Sequence, residues 1–166
     1  MDLQLKNKMA LVSGSTAGIG YAIAKALAAE GANVIVNGRK QASVDDAIGK
    51  LSAGAAGELI GFAGDLSRAD VAGQLAQAHP GVEILVNNLG IFEPVAFEDI
   101  SDDDWRRFYE VNVLSGVRLS RLYLPQMQKH NWGRIVFIAS ESAVQIPAEM
   151  IHYGMTKTAQ IAVARG

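Results

Sequence analysis

A chain of 166 residues with 49% hydrophobic side chains holds enough apolar material for one domain with a substantial core and too little for two. Its formal net charge of -2, with lysine and arginine scattered along the chain, excludes the electrostatic footprint of a nucleic-acid binder or a membrane-surface protein and leaves a small molecule as the expected partner. There is no cysteine, so disulfides and thiolate chemistry are excluded, and no cluster of metal ligands stands out.

The first ten residues, MDLQLKNKMA, carry Asp2 and other polar residues where a secretory leader needs an apolar run. No segment nears the ~18 apolar residues of a membrane span. The expectation is a soluble, cytoplasmic protein. Short apolar runs rich in Val and Ile then alternate with longer amphipathic segments. The runs are MALVS (9–13), NVIVN (33–37), ELIGF (58–62), VEILVN (82–87) and RIVFIA (134–139), as expected of buried parallel strands. Between them lie segments of helical period over 18–30, 43–53, 67–78 and 101–128. In the first, Ile19, Ala22, Ile23, Ala26 and Leu27 form a stripe that would face a sheet. Ser101 followed by Asp104 predicts a capping-box-like start to the long helix. Gly31, Gly57 and Gly81 stand near helix ends or strand starts, where positive φ is expected. The repeated strand–helix unit predicts an α/β fold, a doubly wound parallel sheet with helices on both faces, over the whole of 1–166 as a single domain.

In such a sheet, ligands bind beyond the carboxyl ends of the strands. The first strand runs into SGSTAGIG, with Gly14, Gly18 and Gly20 between strand and helix. A pyrophosphate needs bare backbone and a helix N-terminus, and glycines permit both; a turn that merely packs is the alternative. The second strand ends at Asn37, Gly38 and Arg39. A carboxylate there would hold the ribose hydroxyls of NAD, whereas an arginine can meet a 2′-phosphate or stand in solvent. Asp65 either caps the next helix or bonds an adenine amino group. Asn87, Asn88 and Gly90 follow the fourth strand, where asparagines can stabilise a sharp turn. Ser140 follows the fifth, and HYGMTK (152–157) then sets Tyr153 and Lys157 four apart on one helix face. An ammonium near a phenol stabilises the phenolate and fits it for proton transfer, with Ser140 available to hold a substrate oxygen. A surface pair on a helix is the plainer alternative, and His152 reads as a helix residue rather than a catalyst.

Together these residues resemble the short-chain dehydrogenase/reductase family, from about residue 5 to the end of the chain. SGSTAGIG is similar to the family's TGxxxGxG with Ser13 in place of Thr, and NNLG (87–90) to its NNAG with Leu89 in place of Ala. Asn112 in EVNV, then Ser140, Tyr153 and Lys157, match its catalytic set, with the usual thirteen positions from Ser140 to Tyr153. The resemblance implies a Rossmann-type sheet of order 3-2-1-4-5. It implies hydride transfer between nicotinamide and a small-molecule carbonyl or alcohol. Tyr153 would be the general acid/base, Lys157 would lower its pKa and hold the nicotinamide ribose, and Ser140 would orient the carbonyl. The carbonyl of Asn112 would hold a relay water. Cofactor contacts are carried onto Gly14, Ser15, Thr16, Gly18, Ile19 and Gly20, onto Asn37 and Arg39, onto Asp65 and Leu66, and onto Asn88 and Gly90 as well as Tyr153 and Lys157. Arg39 beside a non-acidic Asn37 resembles the NADP branch, with NAD the alternative, although Ala17 departs from the basic residue many NADP enzymes carry in the glycine loop. Members of the family run on through two further strands, so the expectation is a truncated chain with RIVFIA as an apolar edge and a homo-oligomer as its state. The competing expectation is a nucleotide-binding or structural fragment without catalysis.

Overall fold

Successive residues of the first strand point into two different cores, which is why its apolar run is unbroken. Ala10 and Val12 belong to one core with Val34, Val36, Ile84 and Val86. Leu11 belongs to the other, with Ile35 and Leu85. The computed structural model describes residues 3–166; the polar Asp2 of the opening segment lies outside them. Its strands are β1 (Met9–Val12), β2 (Asn33–Gly38), β3 (Leu59–Ala63), β4 (Ile84–Asn87) and β5 (Arg134–Phe137). They form one sheet of order β3-β2-β1-β4-β5, and every pairing is parallel. This is the expected doubly wound Rossmann-type sheet.

The helices are α1 (Gly18–Ala29), α2 (Gln41–Leu51), α3 (Ala69–Ala78), α4 (Asp102–Tyr109), α5 (Ser115–Lys129) and α6 (Ile151–Arg165). One face of the sheet is covered by Ala24 and Ala28 of α1 with Ala47 and Leu51 of α2. The opposite face carries Ala72 and Leu75 of α3 with Leu119, Tyr123 and Met127 of α5. Small side chains on α1 let it lie close to the strands, which brings its N-terminus up to the carboxyl edge of the sheet. Truncating a buried residue such as Leu11 to alanine removes contacts on a filled layer and costs about 2–5 kcal/mol.

Three expectations are corrected. The segment 101–128 is helical as expected but not uniformly α: a π-helical turn over Glu110–Leu114 joins α4 to α5, a widened turn of the kind found at functional sites. Asn112 lies within it, buried. The fifth strand ends at Phe137 rather than at 139; the Ile138 amide still donates to the Asn87 carbonyl at 3.0 Å, while its own carbonyl accepts a side-chain donor. Of the three glycines assigned positive φ, only Gly31 has it; at Gly57 a Cβ would instead run into the carbonyl oxygen of Ala32, and close approach is the reason for glycine. The capping-box-like start of α4 is present. Ser101 Oγ accepts from the Asp104 amide at 3.1 Å and donates to Asp104 Oδ2 at 2.7 Å. The apolar edge is visible at β5, where Val136 is 43% exposed.

Candidate active site

The glycine turn is clamped by side chains from two neighbouring loops. Ser13 Oγ donates to the Val86 carbonyl at 3.3 Å and accepts from the Asn88 and Leu89 amides at 2.9 and 3.1 Å. Asn88 Nδ2 returns the tie, donating to the Ser13 and Gly14 carbonyls at 3.0 Å each. From the other side, Asn37 Oδ1 accepts from the Gly14 amide at 3.0 Å while its Nδ2 donates to the Phe62 and Gly64 carbonyls at 3.1 and 3.0 Å. Ser15 Oγ accepts from the Asn37 amide at 2.8 Å. Asn37, Ser15 and Asn88 therefore brace the turn from within the protein; the asparagines act through their side-chain amides.

The glycines do different work. Gly14 and Gly18 adopt φ of +63° and +56°, which L side chains rarely take. A Cβ on Gly20 would collide with the Gly14 carbonyl oxygen and with Asn88 Nδ2, so Gly20 lets helix and turn touch. At the start of α1 the capping position is Ala17, which offers no side-chain acceptor. The first amides of the helix thus keep their donors for an anion, together with the positive end of the helix dipole. Such a cradle fits a dinucleotide's pyrophosphate.

A cleft of about 270 Å³ opens beside this turn, lined by Gly14, Thr16, Asn37, Arg39, Asp65, Leu66, Gly90 and Ile91 among others. Leu66 contributes from a side chain otherwise buried in the second core, and Ile19 is exposed. Asp65 Oδ1 accepts from the Ser67 amide at 3.0 Å and from its hydroxyl at 2.7 Å, an Asx turn leading into α3. A second hollow of about 260 Å³ adjoins it, lined by Thr16, Arg39, Lys40 and Ser43. Sequence reasoning does not single out Lys40 and Ser43. A lysine next to Arg39 and a serine four residues on, at a helix start, are the signal available.

The proposed proton-transfer residues gather at the far end, around α6. A Cβ on Gly90 would lie 3.6 Å from Lys157 Nζ and 3.7 Å from Asn112 Oδ1, so the cleft runs up to both. Lys157 Nζ stands 5.6 Å from the Tyr153 ring centroid. The lysine is 5% exposed; it donates to the Ile138 carbonyl at 2.8 Å and to Gln160 Oε1 at 3.1 Å. Burial pushes its pKa below the usual lysine value, because taking an ammonium out of water disfavours the charged form. Asn112 closes the opposite side. Its Oδ1 accepts from the Ile91 amide at 2.8 Å, and its Nδ2 donates to the Ile91 carbonyl at 2.9 Å and to Thr156 Oγ1 at 3.0 Å. The main-chain carbonyl of Asn112, to which the resemblance assigns a water, accepts from Gln160 Nε2 at 2.5 Å.

Ser140 lies three residues past β5 and caps a short turn, its Oγ accepting from the Ser142 amide at 3.1 Å. Helix α6 is docked on this segment. Thr158 Oγ1 donates to the Ala143 carbonyl at 2.8 Å, and a Cβ on Gly154 would sit 3.0 Å from the Ser142 carbonyl oxygen and 2.5 Å from Ile146 Cγ2. Ser140 and Tyr153 thus flank one interface, and both are half-buried. Phe92 meets Tyr153 edge-on at 6.2 Å. His152 points the other way, buried against Phe108 at 3.9 Å and Trp105 at 5.9 Å between ring centroids, with neither ring nitrogen hydrogen-bonded. Among the described residues no group of three acidic or histidine side chains is placed to hold a metal ion, and no helix is long and apolar enough to cross a membrane.

The chain is similar in sequence and fold to known proteins. The family model for short chain dehydrogenases matches residues 8–166. The chain is 52% identical over 166 residues to an uncharacterized oxidoreductase, YvaG, of Bacillus subtilis, covering 99% of this chain and 63% of that protein. It is 40% identical over 158 residues to D-beta-hydroxybutyrate dehydrogenase of Cupriavidus necator, covering 92% and 60%. Among solved structures it is similar to L-sorbose reductase of Gluconobacter frateurii complexed with NADPH and L-sorbose, with a TM-score of 0.95 at 29% identity over 99% of this chain and 64% of that one. A 7 alpha-hydroxysteroid dehydrogenase complexed with NADH and a 7-oxo bile acid aligns with a TM-score of 0.90 at 32% identity, covering 98% and 64%. The chain thus spans less than two thirds of the length of these relatives. With the family model matched along nearly all of it, the chain belongs to the short chain dehydrogenase family of oxidoreductases.

Proposed function

We propose that this chain carries the nucleotide cleft and the proton-transfer residues of an NAD(P)-dependent oxidoreductase that interconverts a carbonyl and an alcohol on a small molecule. The observation that carries the reading is Lys157, a buried amine at the end of the nucleotide cleft, on the same helix face as Tyr153. When bound, the nicotinamide cofactor supplies or removes the hydride. The chain's own residues do the rest. The turn at Gly14, Gly18 and Gly20 holds the pyrophosphate on the amides of α1, and Ser15, Asn37 and Asn88 keep that turn in shape. Tyr153 Oη gives its proton to the oxygen of a carbonyl being reduced, or takes it from an alcohol being oxidised. Lys157 stabilises the charge left on the phenol and offers its remaining N–H to the cofactor ribose. Ser140 Oγ donates to the substrate oxygen and aligns it with Tyr153.

NADP is the cofactor this reading favours over NAD. No carboxylate stands at the end of β2, Asn37 is committed to the framework, and Arg39 shares a hollow with Lys40, Ser43 and Thr16. One relative is complexed with NADPH and another with NADH, so the choice rests on these side chains. The reading also includes a cytoplasmic, homo-oligomeric protein, associating through the outer faces of α5 and α6, where Leu122, Leu124 and Val163 are exposed.

A second reading, a nucleotide-binding module without turnover, is favoured by one observation: the residues lining the 270 Å³ cleft include none of Ser140, Tyr153 and Lys157. Calorimetry with NADPH, NADH and adenosine 2′,5′-diphosphate separates the two. The oxidoreductase reading expects NADPH to bind at least about tenfold more tightly than the diphosphate, because the ribose contact at Lys157 adds to the adenosine half. Equal affinity for those two ligands supports the module, and no binding of any of the three overturns both.

A further inference from the structure

Beside His152, the buried polar side chains of α6 are Thr156, Lys157 and Gln160, and Gln160 has no part in the chemistry described above. It is 1% exposed. Its amide can be oriented in only one way: Lys157 Nζ is a donor only and must face Oε1, and the Asn112 carbonyl is an acceptor only and must face Nε2. Both contacts are made, at 3.1 and 2.5 Å. The side chain therefore spans from the widened turn of residues 110–114 to the amine on the helix opposite.

We propose that Gln160 is a positioning residue for Lys157, a carboxamide strut that hangs the amine from the Asn112 peptide and fixes which of its hydrogens remains for a ligand. The inference rests on the oxidoreductase reading for its consequence, though not for its geometry. Two of the three ammonium hydrogens are taken, by Ile138 and Gln160, which leaves the third for a ligand, and Gly90 approaches the amine closely enough that a Cβ there would lie 3.6 Å from Nζ. A water in the same place could pass a proton from one neighbour to the other. A carboxamide cannot do so near neutral pH, since giving up an N–H proton would leave an amidate. Gln160 thus holds the lysine and does not conduct a proton through its amide.

The electrostatic setting makes the strut measurable. Glu110, on the widened turn, is paired with Arg118. On α4, Arg107 is paired with Asp104 and also with Glu93. Arg134 of β5 lies over Trp132, and Glu141 of the turn after Ser140 is exposed. None of these contacts Lys157, whose lowered pKa has burial as its cause. The Gln160 and Ile138 oxygens favour its charged form, as does the face of the Tyr153 ring 5.6 Å away, and removing the Gln160 oxygen should lower its titration midpoint further.

The test is an NMR titration of the full chain without cofactor, with lysine labelled at Cε and the Lys157 signal assigned by its loss in Lys157→Met. Gln160→Leu keeps the volume and removes both bonds; the Lys157 midpoint is expected to fall by about one pH unit. Gln160→Glu keeps the oxygen facing the amine and adds charge, and the midpoint is expected to rise above that of the parent. Unmoved midpoints in Gln160→Leu overturn the proposal; should that variant fail to fold, an unmoved or lowered midpoint in Gln160→Glu does the same. The outcome is separable from the fate of the functional reading. A shifted midpoint in a chain without turnover keeps the strut and loses the oxidoreductase. Turnover with an unshifted midpoint keeps the oxidoreductase and loses the strut.

Discussion

Lys157 Nζ donates to the carbonyl of Ile138 at 2.8 Å, tying α6 to the residue that follows β5. The strand ends two residues earlier than its apolar run suggests. That early exit supplies the acceptor which holds the amine, and it carries the chain round to Ser140.

A buried amine without a carboxylate partner is a liability for the fold. Its pKa is lowered by burial, so between the lowered value and 10.5 the unfolded chain binds more protons than the folded one, and stability rises with pH across that window. Lys157→Met is expected to leave urea stability at neutral pH unchanged or raised, to flatten this rise, and to weaken NADPH binding about tenfold. Denaturation at several pH values with calorimetry beside it checks all three.

His152 sets an acid limit. Burial is the largest cause of its lowered pKa, opposed by Asp104 and Glu93. Below about 6.5 the unfolded histidine takes a proton that the folded one does not. Stability is therefore present above 6.5 and falls, by up to about 1.4 kcal/mol per pH unit, as pH drops from there toward the folded value. In His152→Leu that slope should be smaller below about pH 6.5, read from urea midpoints.

Gly18 and Gly20 differ in what they forbid. Gly20→Ala would drive a methyl into the Gly14 carbonyl and Asn88, so the turn must shift, at about 1–3 kcal/mol. Gly18→Ala meets open space and is opposed only by its φ of +56°, at about 1–2 kcal/mol. Both should weaken nucleotide binding, with Gly20→Ala the greater loss; dye displacement by NADPH gives the order.

Arg39 and Lys40 decide between cofactors in this account. Arg39→Ala should weaken NADPH by about 10-fold or more while NADH changes by less than about twofold, since only the former carries the 2′-phosphate. Equal effects on both would remove the phosphate role.

The sheet was readable from sequence because its strands are buried on both faces, as Leu11 and Val12 illustrate, and burial on both faces demands an unbroken Val/Ile run. The glycine turn and the Tyr153–Lys157 pair were legible for a similar reason: each is a spacing imposed by one local structure. The π-helical turn that joins α4 to α5 was not. A widened turn inserts its extra residue without disturbing the apolar period enough to notice, and EVNVL contains neither proline nor glycine. Asn37 and Asn88 carried letters that permit ligand contact, yet the fold commits their amides to main-chain carbonyls of neighbouring loops. Gln160 was hidden for a related reason, since its acceptor on the Asn112 side is a peptide carbonyl and peptide carbonyls have no letter.

The central claim is that Tyr153 moves the proton at the end of this cleft. NADPH oxidation against a panel of small ketones and aldehydes, in the parent chain and in Tyr153→Phe at matched cofactor occupancy, tests it most directly. Carbonyl-dependent oxidation is expected in the parent, reduced at least about 100-fold by loss of the hydroxyl with NADPH affinity retained. Equal rates in the two chains, or no carbonyl-dependent oxidation by a parent saturated with NADPH, would contradict it.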